Sequence, residues 1–203
     1  MLRALRPFTV PPMSYEQMRM VFAILAVAAN LAVLGHVAAW TLRSLEPVAR
    51  LRDEIHRSLH GREIPLAFGV ALVATAGSLY LSEIVDLVPC ELCWYQRVLM
   101  YPLVVLFGIA WWRRDNLVGR YGAPLAAIGL AVSSYHYLLQ RFPGLEGGAC
   151  SIGIPCSSAY FWMFGFISIP YMAGSAFALI LVLLAVRAAN TAGAPAETSE
   201  VQT

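Results

Sequence analysis

"VPCELCWYQRVLMYP", residues 88–102, sets two cysteines three positions apart at the mouth of an apolar run, with an arginine four residues beyond the second. The run continues to residue 112, close to the roughly 20 residues a helix needs to cross a bilayer core. Working outward, comparable runs fill residues 20–42, 65–85, 121–140 and 164–186, so five spans are expected with charges gathered at their flanks. Composition agrees: 59% of the 203 residues are apolar and 13% are charged, against about 25% charged in a soluble domain. These features predict an all-α integral membrane protein and exclude a soluble enzyme.

Orientation follows from the basic residues, all of which are arginine. Arg43, Arg50, Arg52, Arg57 and Arg62 lie between the first two runs, Arg113, Arg114 and Arg120 follow the third, and Arg187 follows the last. Five alternating spans put all three segments on one side, which the positive-inside tendency makes cytoplasmic. Both cysteine-bearing loops then face the periplasm or outside. A cleaved signal peptide is the competing reading of the first run, but it would turn those loops into the cytoplasm. Residues 1–63 are therefore expected to be an extension with a membrane helix at about 20–42 and a cytoplasmic linker. The linker's Leu42, Leu45, Val48, Ile55 and Leu59 fall near helical spacing, as in an amphipathic surface helix. Residues 64–187 form the principal domain, and the small, polar stretch 188–203 is expected to be a disordered tail.

The four cysteines form two groups, Cys90 with Cys93 and Cys150 with Cys156. Structural bridges, a thiolate metal site and thiol–disulfide exchange all use such residues. The loops are short for a stapled fold, and five residues between Cys150 and Cys156 exceed the usual zinc-knuckle spacing. Exchange chemistry fits best. Pro89 suits the approach to a helix N-terminus, where the dipole and unpaired N–H groups favour a thiolate at Cys93. Arg97 shares a face with Cys93 about 6 Å along the axis, and an ionisable residue one turn inside a span points to function or to snorkelling. In "AVSSYHYLLQR", Ser133, His136 and Gln140 share one helical face at a depth matching Arg97, which predicts a pocket just beneath the outer surface.

Together "CELCWYQRVLMYPL", "SSYHYLLQ" and "PCSSAYFWMFGFISIP" resemble the membrane disulfide-generating oxidoreductases of the DsbB family, most closely its shorter BdbC-type members. The resemblance covers about residues 65–186 and leaves 1–63 unmatched. It implies a four-helix transmembrane bundle, here with one additional N-terminal transmembrane helix, in a bacterial cytoplasmic membrane. It also implies an extracytoplasmic thioredoxin-fold (DsbA-like) partner, ubiquinone or menaquinone as electron acceptor, and no nucleic-acid or metal role. Carried over by position, Cys90 and Cys93 would be the pair beside the quinone, with Cys93 the thiolate that engages it. Arg97 would polarise a quinone oxygen, and His136 and Gln140 would border the same site. Cys150 and Cys156 would be the shuttle pair, Cys150 meeting the partner.

A strongly oxidising partner stands at about −120 mV, and each 30 mV uphill costs about 1.4 kcal/mol for two electrons, so the sink must itself be a strong oxidant. A scaffold with two structural disulfides, or an enzyme of vitamin K epoxide reductase type, are the alternatives. In the latter the quinone-side pair falls late in the bundle, whereas here Cys-x-x-C precedes the second core span.

Overall fold

A capping box starts the first helix. The Ser14 side chain accepts from the Gln17 N–H at 3.3 Å, and the Gln17 side chain accepts from the Ser14 N–H at 3.0 Å, satisfying two donors that an uncapped helix would leave open. The computed structural model describes residues 14–146, 150 and 154–192. Its helices are α1 (Tyr15–Thr41), α2 (Glu46–Leu59), α3 (Glu63–Glu83), α4 (Glu91–Arg113), α5 (Val118–Arg141) and α6 (Ile169–Ala192). No strand occurs among the described residues.

Helices α3, α4, α5 and α6 close a ring, each packed on its neighbours, and α1 lies outside it against α6. The chain is thus an all-α membrane protein, a four-helix bundle with one additional N-terminal helix. The ring's core is apolar, with Leu103, Phe107, Ala126, Phe177 and Ile180 fully buried. Outside it, Leu31, Leu34, Val98 and Val105 are each at least 60% exposed, as lipid-facing side chains should be. Glycines permit the closest approaches. A Cβ on Gly129 would stand 2.3 Å from the Phe177 ring, and one on Gly122 2.9 Å from Phe107.

Four helices, α1, α3, α4 and α6, are long and apolar enough to cross a membrane. Helix α5 matches them in length, with 24 residues. Its polar face dilutes its apolarity, and the bundle rather than lipid receives Ser133 and His136, each 1% exposed.

The linker is helical over α2, which buries none of its residues. His56 on it stacks on His36 of α1 with ring centroids 5.9 Å apart. The last span differs from expectation. Phe164 and Gly165 adopt φ of 51° and 76°, within a tight turn bridged by Met163 and Ile167. Helix α6 therefore begins at Ile169, with Pro170 in its first turn. It also runs on through Ala192, so residues 188–192 of the expected tail are helix. Asn190 fastens that end by donating to Glu63 Oε1 at 2.8 Å and to the His56 carbonyl at 3.1 Å. Residues 193–203 of the expected tail lie outside the described residues.

Candidate active site

Cys90 is the N-cap of α4, extended at φ −72° and ψ 173° after Pro89, and Cys93 sits in the first turn. Their sulfurs are free and 3.0 Å apart. Cys150 and Cys156 are joined in a disulfide. The two pairs belong to one buried cluster with Leu92 and Leu139, so residues about 60 apart in sequence meet at one end of the bundle.

His136 stands between the pairs. The Gln96 amide donates to its Nδ1 at 2.9 Å, which fixes the proton on Nε2. From there Nε2–H faces Cys90 Sγ at 3.6 Å and the Cys156 carbonyl at 3.2 Å. Cys90 therefore receives two donors, the Cys93 thiol first and His136 second, and together they overcome its burial and lower its pKa to about 4. These donors favour the thiolate at Cys90 in the reduced pair. The helix-terminus argument favoured Cys93, but both available donors converge on the N-cap sulfur instead.

Arg97 is only 9% exposed. It does not snorkel. Its Nε donates to Ser78 Oγ at 3.0 Å, one terminal nitrogen donates to the Ser78 carbonyl at 3.1 Å, and the guanidinium lies 5.1 Å over Trp94. Tyr101 donates to the same Ser78 hydroxyl at 3.3 Å. Beside Arg97 opens a cavity of about 430 Å³, lined by Arg19, Ser78, Cys93, Gln96, Arg97 and Tyr160 and otherwise mainly by apolar side chains of α1, α3, α4 and α6. Its size falls in the range of small-molecule sites, about 300–1,000 Å³. An apolar chamber with a cysteine and an anchored cation at one end fits a quinone.

His136 and Gln140 do not line this chamber. His136 faces the cysteines, and Gln140 reaches the Ser158 carbonyl at 3.4 Å. Of the sequence-derived candidates, the fold gathers the four cysteines with His136, sets Cys93 and Arg97 on the cavity, and leaves Gln140 on the neighbouring loop. Gln96 and Ser78 were missed. Gln96 had a signal, a polar residue three positions after Cys93 in an apolar run; Ser78 had none, because its partner is on another helix.

The donor atoms of Cys90, Cys93 and His136 lie within 4.8 Å of one another, a set able to hold a metal ion. On the loop, Glu146 accepts from the Ser157 N–H at 3.3 Å and from the Ser157 hydroxyl, contacts that hold its carboxyl below the usual range.

A sequence-family profile described as "Disulfide bond formation protein DsbB" matches residues 63–187. Disulfide bond formation protein C of Bacillus subtilis (strain 168) is 53% identical over 116 residues, 57% of this chain and 84% of that protein. A probable disulfide formation protein of Oceanobacillus iheyensis is 53% identical over 115 residues, 56% of this chain and 79% of its own. Probable disulfide formation protein C 2 of Bacillus anthracis is 46% identical over 121 residues, 60% and 86% of the two chains. No solved structure matches the chain.

Proposed function

The chain belongs to the DsbB family, and on that premise we propose that it is a thiol–disulfide oxidoreductase passing electrons from an extracytoplasmic thioredoxin-fold dithiol to membrane quinone. The observation that carries this reading is the position of His136, whose one N–H reaches Cys90 Sγ at 3.6 Å and the Cys156 carbonyl at 3.2 Å. A histidine shared in this way ties the two pairs to one site, which supports a relay over two separate staples. The arginine-rich segments at the other end of the helices support an orientation with the cysteines outside the cytoplasm.

The sequence of exchanges balances as follows. A partner thiolate attacks Cys150, breaking the Cys150–Cys156 bond, and the partner's second thiol resolves the mixed disulfide. The partner leaves oxidised, and Cys150 and Cys156 hold two electrons as thiols. Cys156 attacks Cys90 of an oxidised Cys90–Cys93 pair, and Cys93 leaves as a thiolate beside the cavity and Arg97. Cys150 gives up its proton and attacks Cys156 while Cys93 takes up a proton, re-forming the outer disulfide and releasing Cys90 as a thiolate that the Cys93 thiol and His136 stabilise. Cys90 and Cys93 would close to a disulfide as they give up two electrons and two protons, for which a quinone held in the chamber would be the sink. Arg97 would hold positive charge for an oxygen gaining negative charge, and the apolar walls would exclude water.

The test is a Cys93→Ser, Cys150→Ser double variant, which keeps only the two sulfurs that must exchange. Mild oxidation should join Cys90 to Cys156 within one chain, as read by peptide mapping. Protein that stays unlinked, or links only between molecules, overturns the relay.

A further inference from the structure

Helix α1 lies outside the family segment 63–187, yet it walls the chamber. Met18, Arg19, Phe22, Leu25, Ala26 and Ala29 all line it, a stripe at helical spacing. The contact is fitted rather than incidental. A Cβ on Gly77 of α3 would lie 2.5 Å from the Phe22 ring, so only glycine leaves that ring its seat. Asn30 donates to Ser175 of α6 at 2.6 Å. At the cysteine-bearing end, Tyr15 meets the Phe161 ring edge-on with centroids 6.3 Å apart.

Arg19 is the second cation on this chamber. Its guanidinium lies 4.8 Å over Tyr15 and 5.3 Å over Phe161, and a terminal nitrogen pairs with Glu16. Its Nε is buried and has no hydrogen-bond partner among the described residues. A buried, unsatisfied donor on a cation is costly and calls for an acceptor. Arg19 is in the second turn of α1, as Arg97 is in the second turn of α4, so the two stand at comparable depth from the cysteine-bearing end. A quinone ring carries oxygens on opposite edges, and one chamber with two cations matches that chemistry.

We propose that α1 is a wall of the quinone site, closing it together with α3, α4 and α6, and that Arg19 Nε donates to a quinone oxygen other than the one facing Arg97. This rests on the chamber being the quinone site. It makes the N-terminal helix a determinant of acceptor binding and distinguishes this chain from a four-helix protein whose chamber would lack that wall.

The experiment is equilibrium binding of a short-chain ubiquinone or menaquinone analogue to the full chain in detergent, followed by quenching of tryptophan fluorescence, with Trp94 beside the chamber. Arg19→Gln should weaken binding about tenfold, as loss of a hydrogen bond from a charged donor implies. Arg19→Lys, which keeps the Glu16 pair but lacks Nε–H, should also weaken it, by less. Formation of the Cys90–Cys156 link in the double-serine background should be unaffected, because that step needs no acceptor. Wild-type affinity in both Arg19 variants, with Arg97→Gln weakened, overturns the role of Arg19 and leaves α1 a strut. Wild-type affinity in Arg97→Gln as well shows that the chamber is not the quinone site, and the inference falls with that premise.

Discussion

Replacing His136 with leucine tests the centre of the relay. Leucine fills much of the same buried space but offers no proton to Cys90. The lost contact is a hydrogen bond to a charged acceptor, which contributes about 1.5–3 kcal/mol. Its N···S separation of 3.6 Å argues for the lower figure, about 1.5 kcal/mol. At about 1.4 kcal/mol per tenfold change in proton affinity, the thiolate titration should move up by about one pH unit. The move is no larger because the Cys93 thiol, the leading cause of the low Cys90 pKa, remains. The assay is ultraviolet thiolate absorbance against pH in a Cys150→Ser, Cys156→Ser background, where only the inner pair titrates. His136→Gln, which restores an N–H, should recover part of the change. An unchanged midpoint in His136→Leu would refute the reasoning, since the imidazole would then be a spacer. The linked stability has a definite sign. A thiol lowered from 9.0 to about 4 stabilises the folded reduced form fully above the unfolded value, and this is lost as pH falls towards the folded one. Thermal stability of the reduced protein should therefore climb between those limits, and in His136→Leu the climb should begin at higher pH and gain less in total.

Arg97→Gln should lower dithiol-driven quinone reduction by about tenfold or more while both cysteine pairs still form; unchanged turnover would reduce Arg97 to an anchor for Ser78. Gly129→Ala should cost about 1–3 kcal/mol by overpacking, seen as earlier thermal unfolding in detergent, and Phe177→Leu in the same chain should recover part of it. For Glu146, whose carboxyl is held below its ordinary 4.5, the stabilising contact is present above that value and lost as pH falls through the lowered one. Limited proteolysis of the loop should accelerate there in the wild type, and Glu146→Gln should cut at a rate independent of pH over that range.

What could be read from the sequence was what chemistry fixes locally. Cys90, Cys93 and Arg97 sit within one helical start, so their spacing alone placed them together. The five runs were equally plain, because about 20 apolar residues have few other uses. Interhelical partners were not legible. Nothing near Ser78 announces an arginine, and His136 looked like a pocket residue until Gln96 turned its ring towards the cysteines. The start of α6 was missed because Phe164 and Phe166 read as membrane residues, whereas positive φ at Phe164 and Gly165 makes them a turn. The small residues Ala23, Ala26 and Ala29 and the polar Asn30 of α1 were visible, but a stripe suited to close packing does not name the helix it packs on.

Nε2 of a neutral imidazole carries one proton, and here two acceptors claim it. While Cys90 is a thiolate, its charge makes it the stronger claimant, and the Cys156 carbonyl must share. Once that sulfur is tied into a disulfide its charge is gone, and the carbonyl holds the donor alone. The outer loop is then gripped more tightly when the inner pair is oxidised than when it is reduced. A single side chain thereby ties the Cys150–Cys156 loop to the chemical state of the sulfur behind it.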